Sequence, residues 1–159
     1  MMYEVRDAGR MGHGVFATQR ILSGRQVLKF TGELCEERVG PPVAYLQVGA
    51  RLFIASDGGP SDYVNHSCAP NCRVLVRPGG EAFLLATTTI HEGQQLFFDY
   101  SLTSTDTVEE WHMRCLCNAD YGPYRCRGII SGYKYLPAYL RRRHETLGAV
   151  PAYVEGEEG

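Results

Sequence analysis

The apolar residues of this chain come in short runs, and that spacing favours strands over helices. Gln26 to Phe30, Arg51 to Ala55, Arg73 to Arg77, Ala82 to Thr87 and Gln95 to Phe98 are rich in β-branched or aromatic side chains and bounded by Gly, Pro or Ser. Runs this short fill a strand but not two turns of helix. The expected fold class is therefore mostly β. Pro78-Gly79-Gly80 separates two of the runs, so residues 73 to 87 are expected to form a hairpin. Helical signals are few. Asp106 and Glu109 have capping-box spacing, which predicts a short helix over 107–113. Pro137 and Gly148 bracket a second helix whose apolar stripe would be Leu136, Tyr139, Leu140 and Leu147.

With 159 residues, 44% hydrophobic and 21% charged, the chain has enough apolar material for one ordinary core, which excludes a disordered or fibrous protein. No apolar run reaches the roughly 18 to 20 residues that span a bilayer, and the start, Met1 to Asp7, lacks a signal peptide's apolar stretch. These features predict an intracellular protein, cytoplasmic if bacterial and nuclear if eukaryotic, with no membrane partner. The net charge is -2, and three of the acids, Glu155, Glu157 and Glu158, lie in a tail expected to be disordered. Without the strong basic face that nucleic-acid binding needs, no direct nucleic-acid partner is expected. The six cysteines are too sparse for a disulfide scaffold, which leaves metal ligation or free thiols.

Four segments carry possible chemistry. Asp62 to Cys72 crowds Asn65, His66, Ser67, Cys68, Asn71 and Cys72 into one stretch, which suits either fixed hydrogen bonding to a polar ligand or a turn organised by Asn and Pro. Gly12-His13-Gly14 allows a ligand close to the backbone, and it equally fits a hairpin turn. Cys115, Cys117 and Cys126 can supply three thiolates to a tetrahedral zinc site, with Cys68, Cys72, Cys35 or His112 as the fourth donor. The strand from Gly93 ends in Phe97-Phe98-Asp99-Tyr100, where Phe97 suits a core and Tyr100 suits either a core or a pocket.

Taken in order, Gly12 to Ala17, Phe30-Thr31-Gly32-Glu33, Asn65 to Asn71, Gly93 to Tyr100 and Cys115 to Gly128 resemble a SET-domain protein-lysine methyltransferase with a post-SET zinc motif. The resemblance covers residues 10 to 130, and the sequence NHSCAPN from Asn65 is its most specific part. A compact chain that continues with Tyr133 to Pro137 is most similar to stand-alone bacterial-type members. The resemblance implies a SET domain over 1–103, a post-SET zinc-binding segment over 104–132, and a C-terminal helix with an acidic tail over 133–159. It also implies small curled β-sheets, with the segment ending at Tyr100 threaded beneath the chain near residue 60.

The roles that follow are implied by the resemblance alone. Gly12, His13, Gly14, Asn65, His66 and Tyr100 would contact S-adenosylmethionine. Tyr100 would be catalytic. Phe98, Phe30 and Tyr63 would line the channel for the substrate lysine, with Phe98 leaving room for an already methylated amine. Cys68, Cys115, Cys117 and Cys126 would hold one structural zinc ion. The partner would be a protein or peptide carrying a lysine, with a histone tail as the family default. Several positions depart from the family pattern: Phe30 replaces a common tyrosine, Gln94-Gln95 an acidic pair, and Asp62 a common arginine, while the gap from Cys117 to Cys126 is longer than usual. Two rival functions remain, a zinc-stabilised binding module with little catalysis and a methyltransferase acting on a non-lysine or small-molecule acceptor.

Overall fold

A computed structural model describes residues 1–105, 112–122 and 124–155. Each apolar run in the sequence forms a strand. Strands β3 (Gln26–Lys29), β9 (Ala82–Ala86) and β8 (Cys72–Val76) make a three-stranded antiparallel sheet in the order β3-β9-β8. The β8–β9 pair is the expected hairpin, with Cys72 opposite Ala86 and Val76 opposite Ala82. A second sheet is built from β4 (Leu34–Cys35), β6 (Leu52–Ala55) and β5 (Tyr45–Gly49) in the order β4-β6-β5. Near the N-terminus, β1 (Tyr3–Asp7) and β2 (His13–Ala17) form a hairpin around a turn in which Gly12 has φ +80°, a conformation that favours glycine.

The packing of these sheets buries Val15, Leu84, Ile90 and Leu96 completely in one apolar core. Against this core lies a short parallel pair, β7 (Asn65–His66) with β10 (Phe97–Phe98), in which Asn65 faces Phe97 and His66 faces Phe98. Parallel neighbours need a long crossover, and here it contains the whole β8–β9 hairpin. The incoming segment is held from both sides. Leu96 N–H donates to Val15 O at 2.8 Å, while Asn71 Nδ2 donates to Gln95 O and Asn71 Oδ1 accepts from Phe97 N–H, each at 2.9 Å. Residues 95–98 of the segment expected to thread thus run between β2 and the 65–71 loop.

After Tyr100, two small strand pairings and two α-helices follow among the described residues. Strand β11 (His112–Arg114) pairs with β14 (Ile129–Ser131), and β12 (Asp120–Tyr121) with β13 (Tyr124–Arg125). The helix expected over 107–113 is thus corrected at its end, because His112 and Met113 are taken up by pairing with β14; residues 106–111 lie outside the described residues. Helix α1 (Ala138–Thr146) forms where expected, but its buried face is Leu140 and His144. Tyr139 and Leu147 are exposed, since residues 140 and 144 already occupy the inward face at a spacing of four and Leu147 sits in the cap. Helix α2 (Ala152–Glu155) buries Val154 completely, in a second core with Leu102, Tyr133, Leu136 and Leu140. The acidic tail beyond it, 156–159, lies outside the described residues.

Candidate active site and thiol cluster

Tyr100 opens a single turn of 3-10 helix, Tyr100–Leu102, directly after β10. The turn forms because Asp99 accepts the Ser101 N–H at 3.0 Å through its side chain, capping an otherwise orphaned donor. Asp99 is itself fully buried, which alone would raise its pKa. His66 and Arg127 together override that and hold the pKa of Asp99 below the ordinary carboxylate value; Arg127 Nη2 lies 2.8 and 2.9 Å from the two carboxylate oxygens. The Tyr100 N–H then donates to His66 Nδ1 at 3.0 Å, and the Tyr100 hydroxyl donates to Val64 O at 2.7 Å. Burial pushes the hydroxyl pKa well above its usual value, so Tyr100 is a neutral hydrogen-bond donor and not a base.

Two cavities meet at this side chain. One, about 70 Å³, is a narrow channel whose walls include Phe30, Tyr45, Ile54, Asp62, Phe98 and Tyr100. The Phe98 ring meets Phe30 edge-on at 5.8 Å and Tyr100 at 4.8 Å, so these three rings form one aromatic wall, while Thr31, Ser56, Ser61, Thr103 and Ser104 add hydroxyl-bearing side chains to the lining. The other cavity is bordered by Arg10, Met11, Asn65, His66, Arg114 and Leu116. Tyr100 lines both.

The expected site residues fall unevenly around these cavities. Phe30 and Phe98 line the channel, and Asn65, His66 and Tyr100 line the second cleft. Tyr63 is not among the channel walls; its ring packs edge-on against His13 at 5.7 Å. Gly12, His13 and Gly14 follow Met11 at the rim of the cleft. Asn65 Nδ2 ties this segment down by donating to His13 O and Gln95 Oε1, both at 2.8 Å. A Cβ on Gly14 would fall 2.3 Å from that Gln95 oxygen, so the side chain that Asn65 anchors needs glycine there. Phe97 is half-buried, and its neighbour Phe98 is the one in the core. Sequence reading missed Arg10, Met11, Tyr45, Asp99 and Arg127. Asp99 and Arg127 lie inside motifs that it did quote, but no spacing rule brings together two charges 28 positions apart.

Of the candidate zinc donors, Cys68, Cys115, Cys117 and Cys126 converge, with all four sulfurs within 4.8 Å of one another. Cys72 packs in the main core, Cys35 donates to Phe53 O, and His112 is exposed on β11. Cys68 and Cys115 sulfurs are 3.7 Å apart, which matches the ~3.8 Å edge of a tetrahedron with Zn–S bonds of about 2.3 Å. Backbone N–H groups already point at the sulfurs: Cys68 N–H at Cys117, and Arg127 N–H at Cys68, each at 3.4 Å. Burial works against ionisation at Cys117, but the N–H groups of Cys68 and Ala119 and the neighbouring thiols lower its pKa to about 7. The donor set fits a zinc ion. Because His66 Nδ1 accepts from Tyr100, the ring proton resides on Nε2, 3.4 Å from Cys68 Sγ. One imidazole thus connects the thiol cluster to the Tyr100 backbone, an arrangement typical of the supports that orient metal ligands.

Arg127 and Asp99 give a direct test of this scaffold. Removing one partner of a buried ion pair leaves an uncompensated charge, at a cost of about 3–5 kcal/mol. Arg127→Met is therefore expected to lower thermal stability sharply, and Asp99→Asn added to it should restore part of the loss. Equal melting temperatures for wild type and Arg127→Met would show that the pair does not hold the turn.

Comparison with known proteins decides the family. The family model of the SET domain matches residues 12–101, more than half of the chain. The chain belongs to the SET-domain family. Among its relatives, histone-lysine N-methyltransferase ash1 of Drosophila melanogaster is 30% identical over 92% of this chain, which spans 7% of that protein's length. Histone-lysine N-methyltransferase ATX2 of Arabidopsis thaliana is also 30% identical, over 78% of this chain and 12% of its own length. The crystal structure of Arabidopsis thaliana SUVH6 in complex with SAM superposes with a TM-score of 0.68 at 21% identity, covering 80% of this chain and 33% of that one. KRYPTONITE, solved in complex with mCHH DNA, an H3(1-15) peptide and SAH, superposes with a TM-score of 0.62 at 23% identity, over 80% of this chain and 29% of that one. Both superpositions establish the fold. Among the described residues of this SET domain, no helix is long and apolar enough to cross a membrane.

Proposed function

We propose that this SET domain transfers a methyl group from S-adenosylmethionine to the ε-amine of a lysine in a protein substrate. The observation that carries the reading is the position of Tyr100 at the junction of the aromatic channel and the polar cleft. The cleft offers what such a cofactor needs: Asn65 and His66 beside Arg10 and Arg114, whose guanidinium groups suit its carboxylate. When bound, the cofactor supplies an electrophilic methyl group on a sulfonium.

The residues of the chain supply alignment and desolvation. The channel would take a slender unbranched side chain along the wall made by Phe30 and Phe98, with its end at the Tyr100 hydroxyl. A free lysine has a pKa near 10.4, so its amine must lose a proton before attack. The aromatic wall of Phe30, Phe98 and Tyr100 disfavours the ammonium form and favours that loss. Tyr100, kept neutral by burial and anchored on Val64 O, helps place the nitrogen lone pair in line with the methyl group. Phe98 offers no hydroxyl to hold a water or restrain the amine, which leaves room for a nitrogen that already carries methyl groups.

The zinc ion would be structural, held by Cys68, Cys115, Cys117 and Cys126, and would fix the 112–131 segment over the cleft. The H3 peptide in the KRYPTONITE complex and the names of ash1 and ATX2 support a histone tail as the substrate class. In that case the protein acts in a nucleus.

The reading is tested by incubating the zinc-loaded protein with S-adenosylmethionine and core histones and mapping methylated lysines by mass spectrometry. Methylation at defined lysines is expected, with di- and trimethyl products accumulating. Phe98→Tyr should shift the product toward monomethyl-lysine. An unchanged product distribution in that variant would remove the argument from channel room, and histones left unmodified by a protein that binds the cofactor would redirect the search to another acceptor.

A further inference from the structure

Behind the turn that carries Tyr100 lies a third cavity, of about 510 Å³, between the β8–β9 hairpin and the C-terminal helix. It shares only Leu102 with that turn and is separate from the channel and the cleft. Leu85, Leu102 and Leu147 give it apolar walls. Its polar walls are of one kind. Arg73, Arg143 and His144 line it, together with hydroxyls from Ser23, Thr87, Thr88 and Tyr124, and among the described residues no carboxylate does. Arg73 is half-buried on β8, and its side chain makes no hydrogen bond or ion pair among the described residues. Arg143 Nε donates to the Tyr124 hydroxyl and its guanidinium lies over that ring at 5.1 Å, which holds it at the cavity edge without neutralising it.

His144 makes the cavity more than a crevice. The residue is 3% exposed, yet its Nε2 has no hydrogen-bond partner. An unpaired buried polar atom costs about 1–3 kcal/mol and calls for a partner. Burial lowers the imidazole pKa, which keeps the ring neutral and able to donate one N–H.

From this lining we infer a second ligand site that takes a small organic anion, a carboxylate or phosphate monoester on an apolar body. The acid group would lie between Arg73 and Arg143, with the buried His144 ring behind them, and the body against Leu85, Leu102 and Leu147. Guanidinium groups match the geometry of both acid types, while inorganic phosphate would leave the apolar walls unused.

The test is an NMR titration of the zinc-loaded, methyl-labelled protein with phenyl phosphate, phenylacetate, inorganic phosphate and neutral benzyl alcohol. The site predicts saturable shifts of Leu102 and Leu147 methyls and the His144 ring with at least one aromatic acid. Affinity should fall at least tenfold with inorganic phosphate or the alcohol. The two aromatic acids distinguish a phosphate site from a carboxylate site. Arg73→Gln and Arg143→Gln, both outside the methyl-transfer machinery, should each weaken binding about tenfold and leave S-adenosylhomocysteine affinity unchanged. Absence of shifts with both acids, equal binding of the alcohol, or full affinity in both variants would overturn the site. None of these outcomes bears on methyl transfer, which is read separately by the cofactor titration.

Discussion

Tyr100→Phe should lower the rate of lysine methylation about 10²- to 10³-fold, the usual loss when one preorganised donor is removed from a reacting centre. Cofactor affinity should change by no more than about threefold, because the aromatic ring still lines both cavities. The fold should also persist: the hydroxyl's partner, Val64 O, is a backbone group near the open channel, where water can replace the lost donor. Single-turnover rates and calorimetric titration of S-adenosylhomocysteine separate the two effects. A variant that methylates at the wild-type rate would remove Tyr100 from the mechanism, and one that loses cofactor affinity in proportion would make it a binding residue.

Stripping zinc should have a comparably large effect by a different route. The four sulfurs tie the 65–68 loop to residues 115–126, and His66 extends that tie to the Tyr100 backbone. Without the ion, four thiols are left packed together with little else to hold them, since their cluster has one other buried apolar residue, Ile130. Chelation should lower the melting temperature by about 10 °C or more and abolish methylation, with both restored by added zinc. Cys126→Ser should reproduce the loss and resist rescue. Full activity with far less than one zinc per chain would show that the thiols pack without a metal.

How much of this could be read from the sequence follows from the range of each interaction. The β8–β9 hairpin was legible because Pro78-Gly79-Gly80 and the flanking runs are local signals. The four cysteines and the Tyr100 strand were legible through the resemblance of whole motifs, whereas thiol spacing alone left four candidates for the last ligand. The pairing of Asp99 with Arg127 was not legible, because it depends on which distant loop folds back over the turn. Strand β5 was missed too. Its residues Tyr45 to Gly49 mix buried and half-buried positions without clean alternation, and their place at the channel wall comes from pairing with β6. In α1, propensity and the bracketing Pro and Gly gave the helix, but tertiary packing chose His144 over Tyr139 for the inner face.

The central claim is that one tyrosine is shared by a cofactor cleft and a lysine channel, and the cleft can be tested without knowing the substrate. Zinc-loaded protein should bind S-adenosylhomocysteine saturably, one molecule per chain, in a calorimetric titration. Asn65→Ala, which frees the His13 carbonyl and the Gln95 side chain at the cleft rim, should weaken that binding at least tenfold. A folded, zinc-loaded protein that binds neither S-adenosylmethionine nor S-adenosylhomocysteine would contradict the account.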